Sequence, residues 1–186
     1  MKSIRKRKGA LTLAITAIVL SIGISAVQAA GDHKHGHGEK HVADIGSAGS
    51  RTDASRTITI EMYDNYFEPK TLDIEEGETV RFVVVNKGEF VHEFNIATAK
   101  MHLAHQKEMM AMMENGMLEI DRIRHDKMDH DDGPGMKHDH ANSALLEPGQ
   151  TGELVWKFDT HAKLEFACNV PGHYQSGMAG PIGLSH

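Results

Sequence analysis

Short segments in which apolar and polar residues alternate occupy two parts of this chain and limit it to a small set of folds. Residues 56–97 contain "RTITIEM", "TLDIEEGETVRFVVVNKG" and "FVHEFNI", and residues 144–186 contain "TGELVWKFD" and "KLEFACN". Alternation with a period of two is typical of strands that bury one face, and the Gly, Asn and Asp residues between segments indicate turns. We expect about seven or eight short strands and therefore an all-β, antiparallel β-sandwich.

One long insertion separates the two strand-rich parts. It runs from about residue 98 to residue 143 and begins with "TAKMHLAHQKEMMAMMENG", which is rich in helix-forming residues. The polar segment "MDHDDGPGMKHDHANS" follows and is typical of a loop. We therefore predict one domain over residues 56–186 that carries a Met- and His-rich, partly helical insertion.

The first residues have the layout of a secretory signal peptide. Basic residues precede an apolar run from Ala10 to Val27, and Val27 and Ala29 are suitably placed for cleavage after Ala29. The alternative is an uncleaved membrane anchor, because the run approaches the roughly 20 residues that span a bilayer. We expect residues 1–29 to be removed and the protein to be periplasmic, without a stable membrane anchor after cleavage. Residues 30–55 have too few apolar side chains to order themselves and are predicted to form a flexible His-rich tail.

Composition limits the partners and singles out one thiol. The formal net charge is −6, and five of the 20 basic residues lie in the predicted signal, which argues against nucleic acid as a partner. The chain has a single cysteine, so no disulfide can form within it. It also has 14 His and 11 Met, and every histidine follows the signal. Because imidazole, thioether and thiolate are metal ligands, this composition indicates a metal-binding protein.

The cysteine stands in a Pro- and Gly-containing loop together with two other metal-binding residue types. In "CNVPGHYQSGM", Cys168, His173 and Met178 follow one another at intervals of five residues. One thiolate and two imidazoles in a plane, with a distant thioether, form the blue-copper type of electron-transfer site. A strand that ends at Cys168 and a loop that folds back can direct all three side chains to one point. The loop then lacks only a second histidine.

The second histidine must come from elsewhere in the chain. His92, in "NKGEFVHEFNI", follows a Gly-containing turn at the start of a predicted strand and has apolar neighbours. His161 is the alternative, but its "DTHAK" segment has the composition of an exposed turn. We therefore predict His92. A structural interpretation also exists for the loop residues, because Cys168 and Met178 are both suited to core packing.

The two segments together resemble the cupredoxins, the small blue-copper proteins. "VHEFNI" and the downstream "FACNVPGHYQSGMAGPI" carry the resemblance, and the loop spacing is closer to the azurin and auracyanin branch than to the shorter plastocyanin loop. The resemblance implies a Greek-key β-sandwich and one type 1 copper, cycling between Cu(I) and Cu(II), with the ligands His92, Cys168, His173 and Met178. Many cupredoxins carry Asn directly after the first histidine, hydrogen-bonded to the copper loop. This chain has Glu93 there, so the potential and colour of relatives do not carry over.

Most of the other histidines and methionines lie in the insertion and the N-terminal tail, and two interpretations stay open for them. Thioethers suit Cu(I) and imidazoles suit Cu(II), so these segments are candidates for additional, weakly bound copper. Methionines at helical spacing are equally typical of core packing, and a polar His-rich segment is equally typical of a solvated loop. The auxiliary candidates are His33, His35, His37, His41, Met101, His102, His105, Met109, Met113, Met117, His125, Met128, His130, Met136, His138 and His140.

Two functions fit this ligand set. The surplus ligands favour copper handling and tolerance, and the combination resembles the periplasmic copper-tolerance cupredoxins of bacteria. The resemblance implies copper ions and a periplasmic redox or copper-transfer protein as partners. The alternative is a soluble carrier that shuttles electrons between redox partners. An enzyme is not expected, because a complete Cys-His-His-Met set leaves no open position for a substrate.

Overall fold

The structure, a computed structural model, describes residues 45–128 and 140–185. Its elements within this part of the chain are ten strands and two helices. The strands are β1 (Ser47–Ala48), β2 (Arg56–Tyr63), β3 (Tyr66–Glu68), β4 (Leu72–Glu75), β5 (Thr79–Asn86), β6 (His92–Ala97), β7 (Ser143–Leu146), β8 (Thr151–Lys157), β9 (Leu164–Ala167) and β10 (Ala179–Ser185), and the helices are α1 (Ala99–Glu114) and α2 (His125–Met128). The predicted all-β class with a partly helical insertion is confirmed.

Two five-stranded sheets form the sandwich. One sheet has the order β1-β8-β5-β2-β3, and the other has the order β4-β10-β9-β6-β7. Most neighbouring strands are antiparallel, as the sequence predicts, but β2 runs parallel to β5 and β4 runs parallel to β10. Between β2 and β5 the chain leaves the first sheet to form β4 in the second, so β5 returns in the same direction as β2. Crossings of this kind are a property of Greek-key sandwiches.

The segment before β2 is ordered, which corrects part of the predicted flexible tail. A flexible tail is predicted over residues 30–55, but Ile45 is fully buried and its carbonyl accepts a 3.0 Å hydrogen bond from Trp156 Nε1. The short β1 pairs with β8, with Ala48 opposite Trp156. Two residues of strand are too few to give an alternating pattern, so the sequence did not reveal this edge. Residues 30–44 lie outside the described part of the chain.

Aromatic side chains fill the space between the sheets. Phe82, Phe94, Phe158 and Phe166 are fully buried, and Phe67 meets Phe166 edge to face with ring centroids 5.2 Å apart. Full burial of one such side chain contributes about 1.5–3 kcal/mol to the free energy of unfolding. This rigid core holds the ends of β6 and β9 in fixed positions.

The insertion packs one helix against the sandwich. Thr98 caps α1 by accepting a hydrogen bond from the backbone N–H of Met101 at 3.3 Å, which satisfies one of the unpaired amides of the first turn. Met109, Met112 and, after the helix, Met117 are buried in the hydrophobic core. The core-packing interpretation therefore holds for these three methionines. Within residues 45–128 and 140–185, neither helix is long and apolar enough to cross a membrane.

Strand β6 is buried along its whole length. It lies between β7 and β9 in the second sheet, and all six of its residues are buried. A strand buried on both faces must satisfy every polar side chain internally, and β6 carries the polar residues His92, Glu93 and Asn95. The hydrogen-bond partners of these side chains surround the candidate metal centre.

Candidate metal centre

Cys168 directly follows β9, and its side chain is fully buried. Its Sγ atom accepts a hydrogen bond from the backbone N–H of Glu93 at 3.4 Å, and its own N–H donates to the carbonyl of Met178 at 3.1 Å. Burial raises the pKa of the thiol to about 12, because the interior disfavours the thiolate. A positive charge beside Sγ is therefore needed to hold the sulfur as a thiolate at neutral pH.

His92 begins β6 and points a nitrogen toward that sulfur. Its Nε2–H donates to Oδ1 of Asp64 at 2.8 Å, which leaves the Nδ1 lone pair directed inward, 3.9 Å from Cys168 Sγ. Burial lowers the pKa of His92, with the Asp64 hydrogen bond opposing it, so the ring is neutral and available as a ligand. Asp64 itself is held in the turn after β2 by the backbone N–H of Glu89, 3.1 Å away.

His173 comes from the loop between β9 and β10. Its Nδ1 lies 3.4 Å from Cys168 Sγ and 3.1 Å from His92 Nδ1. Burial lowers the pKa of His173, and the neighbouring His92 lowers it further. The turn is fixed by a 3.0 Å hydrogen bond from the His173 N–H to the carbonyl of Val170. Gly172 has a φ of 90°, in the left-handed region that favours glycine.

Three of the four predicted ligands therefore converge. The Sγ of Cys168 and one nitrogen each of His92 and His173 lie within 4.8 Å of one another. Met178 is fully buried, and its N–H donates to the carbonyl of His173 at 3.1 Å, so its backbone is tied to the same loop. One thiolate with two neutral imidazoles is the donor set that suits a copper ion, and the residues present fit it.

Glu93 connects the metal centre with the insertion. Its carboxylate accepts hydrogen bonds from Asn169 Nδ2 at 2.8 Å, Ser143 Oγ at 2.6 Å and His105 Nε2 at 2.9 Å. Burial disfavours its charge, but the hydrogen bonds from His105, Ser143 and Asn169 outweigh burial and lower the pKa of Glu93 to about 2. Glu93 thus makes the cross-connection to the loop after Cys168, whereas Asn95 bonds to Glu93 instead, at 3.4 Å.

A family model described as the cupredoxin-like domain matches residues 18–121. The chain belongs to the cupredoxin-like family. The matched range includes β1 to β6 and α1, and it ends before the loop that carries Cys168 and His173.

Curated relatives of this cupredoxin carry one name. The copper-resistant cuproprotein CopI of Pseudomonas aeruginosa is 45% identical over 150 residues, which cover 76% of this chain and 83% of the relative. The protein of the same name from Rubrivivax gelatinosus is 33% identical over 175 residues, covering 89% of this chain and 93% of the relative.

Solved structures agree on the fold. Auracyanin B superimposes with a TM-score of 0.55 at 16% identity, covering 76% of this chain and 97% of that one. Dithionite-reduced auracyanin from Roseiflexus castenholzii gives a TM-score of 0.52 at 18% identity, covering 72% of this chain and 99% of that one.

His102 supports the metal-site loop of this cupredoxin from α1. The ring is fully buried, its Nδ1 accepts from Asn169 Nδ2 at 3.1 Å, and its Nε2 lies 3.4 Å from the carbonyl of Glu165. Burial lowers the pKa of His102, so the ring is neutral. Both nitrogens are engaged in these contacts, which position Asn169 against Glu93.

The alternative ligand His161 and the described auxiliary copper candidates of this cupredoxin lie outside the group around Cys168. His161, the alternative to His92, is exposed and lies 3.2 Å from a carboxylate oxygen of Glu76, outside the group around Cys168. Met101 and Met113 pack at the edge of the core, and His125 is exposed on α2, the helix that ends at Met128. His105 and His140 form a second group with Glu108. The candidates outside the described residues are His33, His35, His37, His41, His130, Met136 and His138.

Proposed function

We propose that this cupredoxin binds one copper ion through His92, Cys168 and His173, with Met178 as the fourth ligand, and acts in copper handling and tolerance. One observation carries the proposal: the sulfur and the two ring nitrogens lie within 4.8 Å of one another in a buried setting. When bound, copper supplies one-electron exchange between Cu(I) and Cu(II).

The residues around the ligands prepare this chemistry. Asp64 fixes the His92 tautomer, so the free nitrogen faces the sulfur. The N–H of Glu93 donates to Cys168 Sγ, which stabilises the thiolate form once the proton has been displaced. Burial of Cys168 excludes water and oxidants from the thiol. All of these groups sit on strands or on a hydrogen-bonded loop, so the ligand geometry is largely preformed.

Copper tolerance is the biological role we propose, with the periplasm as its location. Relatives that are 33–45% identical are named copper-resistant cuproproteins, which supports the role. The signal-like residues 1–29 support export, and they lie outside the described part of the chain. The partners in this proposal are copper ions and a periplasmic protein that delivers or accepts copper or electrons.

Electron transfer between protein partners is the second candidate. His173 is the only half-exposed member of the described ligand group, and its ring lies 6.5 Å from the ring of Phe90, which is 40% exposed. This pair gives the metal centre an edge at the surface across which an electron could pass to a docked protein.

A copper titration tests the metal site. We expect an intense visible band that saturates at one copper per chain and is lost in Cys168→Ser and His92→Asn. His161→Asn is the matched control, because it removes an exposed histidine outside the group. A band that survives in Cys168→Ser would overturn the assignment.

A growth assay separates the two roles. A host that lacks the gene should lose copper tolerance and regain it with the parent chain but not with Cys168→Ser. If the copper-loaded protein exchanges electrons rapidly with periplasmic redox proteins while copper tolerance is unchanged in the deletion host, electron transfer is the better conclusion.

A further inference from the structure

A second group of metal-binding side chains lies on the insertion. The ligand atoms of His105, Glu108 and His140 are all within 4.8 Å of one another. His105 and Glu108 are three residues apart on α1, so they share a face of the helix. His140, from the segment before β7, meets them from the side, with its ring 5.5 Å from that of His105 at an interplanar angle of 89°.

A hydrogen bond to the buried Glu93 fixes the orientation of the His105 ring. Its Nε2–H donates to Glu93 Oε1 at 2.9 Å, while its Nδ1 lies 2.8 Å from Glu108 Oε2. The buried carboxylate of Glu93 thus occupies Nε2 and directs Nδ1 toward Glu108 and His140. A carboxylate behind a histidine is the usual outer partner of a metal-bound imidazole, because it fixes the tautomer and raises the basicity of the ligand nitrogen.

The group has a buried floor and an open side. The side chain of His105 is 11% exposed, that of Glu108 is 51% exposed, and His140 is exposed. A hydrated cation can therefore reach the group from solvent, while one ligand is held by the protein interior. Glu108 and His140 can adjust to the cation, because neither is packed in the core.

We propose that His105, Glu108 and His140 bind one late first-row divalent cation, Cu²⁺ or Zn²⁺, at a site separate from the Cys168 centre. Two imidazole nitrogens and one carboxylate oxygen suit these ions, and they include no soft sulfur ligand that would favour Cu(I). Binding exchanges the Nδ1 proton of His105 for the cation and releases that proton to solvent. Water completes the coordination.

This inference does not rest on the proposed function, because none of its residues is a ligand of the Cys168 centre. It also differs from the compositional expectation of many weak sites. Of the auxiliary candidates within the described residues, only His105 and His140 belong to it. Met101, Met109, Met112 and Met113 of α1 contribute packing instead.

Zinc binding to the purified protein and its variants tests the site. Total bound Zn²⁺ per chain should fall by one equivalent, or that equivalent should bind at least about tenfold more weakly, in Glu108→Gln and in His140→Asn. His125→Asn is the matched control, because His125 is an exposed histidine of the same insertion outside the group. Zinc binding equal to that of the parent in both Glu108→Gln and His140→Asn would overturn the proposal.

A second measurement identifies the ligands directly. Nitrogen-15 NMR of the histidine rings should show the Nδ1 signal of His105 moving to a metal-bound position on zinc addition, while its Nε2 keeps its proton. Unchanged His105 signals at zinc saturation would contradict the proposal even if the stoichiometry falls. Glu108 and His140 are exposed, so their variants should retain the unfolding midpoint of the parent. The ligands of the Cys168 centre are untouched in all of these variants, so a failure here leaves the proposed function standing.

Discussion

The backbone N–H of Glu93 lies 3.4 Å from Cys168 Sγ, and the carboxylate of the same residue accepts from His105 Nε2 at 2.9 Å. One residue therefore contacts both the sulfur of the first metal centre and a histidine of the second group. Asparagine, the residue of many cupredoxins here, has no charge with which to hold an imidazolium. The glutamate ties the insertion to the sandwich at the position where the ligands assemble.

Asp64→Asn should weaken copper binding at the Cys168 centre. The carboxylate fixes the Nε2–H tautomer of His92, and loss of an outer partner of this kind typically reduces metal affinity by roughly 10–100-fold. Competition with a copper chelator measures the change. Asp159→Asn is the control, because Asp159 is an exposed aspartate whose described side-chain contacts are with Ser47 and Lys157. Equal copper affinities for Asp64→Asn and the parent would remove Asp64 from the site.

His105→Ala should strongly destabilise the metal-free protein. The change leaves the buried carboxylate of Glu93 without its charged partner, and breaking a buried pair in this way costs about 3–5 kcal/mol. Urea unfolding of the metal-free protein measures the loss. The exposed His125 provides the comparison, since His125→Ala should change the free energy of unfolding by less than about 0.5 kcal/mol. Similar values for the two variants would contradict this account.

The same pair predicts a pH window for stability. Hydrogen bonding to Glu93 outweighs burial and raises the pKa of His105 from 6.5 to about 9, and the pKa of Glu93 falls from 4.5 to about 2. Between pH 4.5 and 6.5 the pair contributes fully to the free energy of unfolding. In this range Glu93 is ionised and His105 is protonated in the unfolded chain as well as in the folded protein. The contribution is lost as pH rises from 6.5 through 9, and also as pH falls from 4.5 through 2.

Unfolding of the metal-free parent and of Glu93→Gln across this pH range checks the window. The difference between their free energies of unfolding should be largest between pH 4.5 and 6.5, and it should shrink at lower and at higher pH. A difference that grows steadily above pH 6.5 would have the wrong sign for a histidine whose pKa is raised.

Met109→Ala should destabilise the fold without removing a copper site. Met109 is fully buried in the core, and truncation of such a side chain typically costs about 2–5 kcal/mol. Met110, its neighbour on the other side of α1, is 44% exposed, so Met110→Ala should cost far less. Copper counted per folded chain should be the same in both variants. Loss of bound copper in Met109→Ala alone would favour the interpretation of the α1 methionines as auxiliary copper ligands.

Zinc at the second group should change the colour of the copper-loaded protein. This prediction rests on both proposals, because the effect passes from His105 through Glu93 to the N–H that donates to Cys168 Sγ. Outer contacts of this kind tune a metal site, so the visible band should shift on zinc addition in the parent. In Glu108→Gln the shift should be absent. An identical shift in that variant would place its origin elsewhere.

Local sequence patterns predicted the parts of the site that lie close together in the chain. Cys168, His173 and Met178 could be predicted from one loop, because a strand end followed by a Gly-containing turn directs their side chains toward the same point. His92 was placed by its position at a strand start and by the cupredoxin resemblance. The structure brings His92, and not His161, to Cys168.

Contacts between residues that are distant in sequence could not be predicted from the sequence. Asp64 lies in a turn 28 residues before His92, and only the packing of the two sheets makes them neighbours. Ser143 and Glu108 bear no local signal for their partners Glu93 and His105, since serine and glutamate are ordinary residues in a strand and on a helix. The parallel pairing of β2 with β5 was missed for the same reason, because alternation does not report strand direction.

Burial of β6 between β7 and β9 has a consequence for the order of events after synthesis. His92 and Cys168 are 76 residues apart in sequence, and they meet only when β6 has paired with β9. Contacts between such distant residues form late and slowly, since the entropy of closing the intervening chain must be overcome first. A chain that crosses a membrane unfolded would therefore arrive with its thiol accessible and its imidazoles apart. Assembly of the sandwich is then the step that brings the proposed copper ligands together.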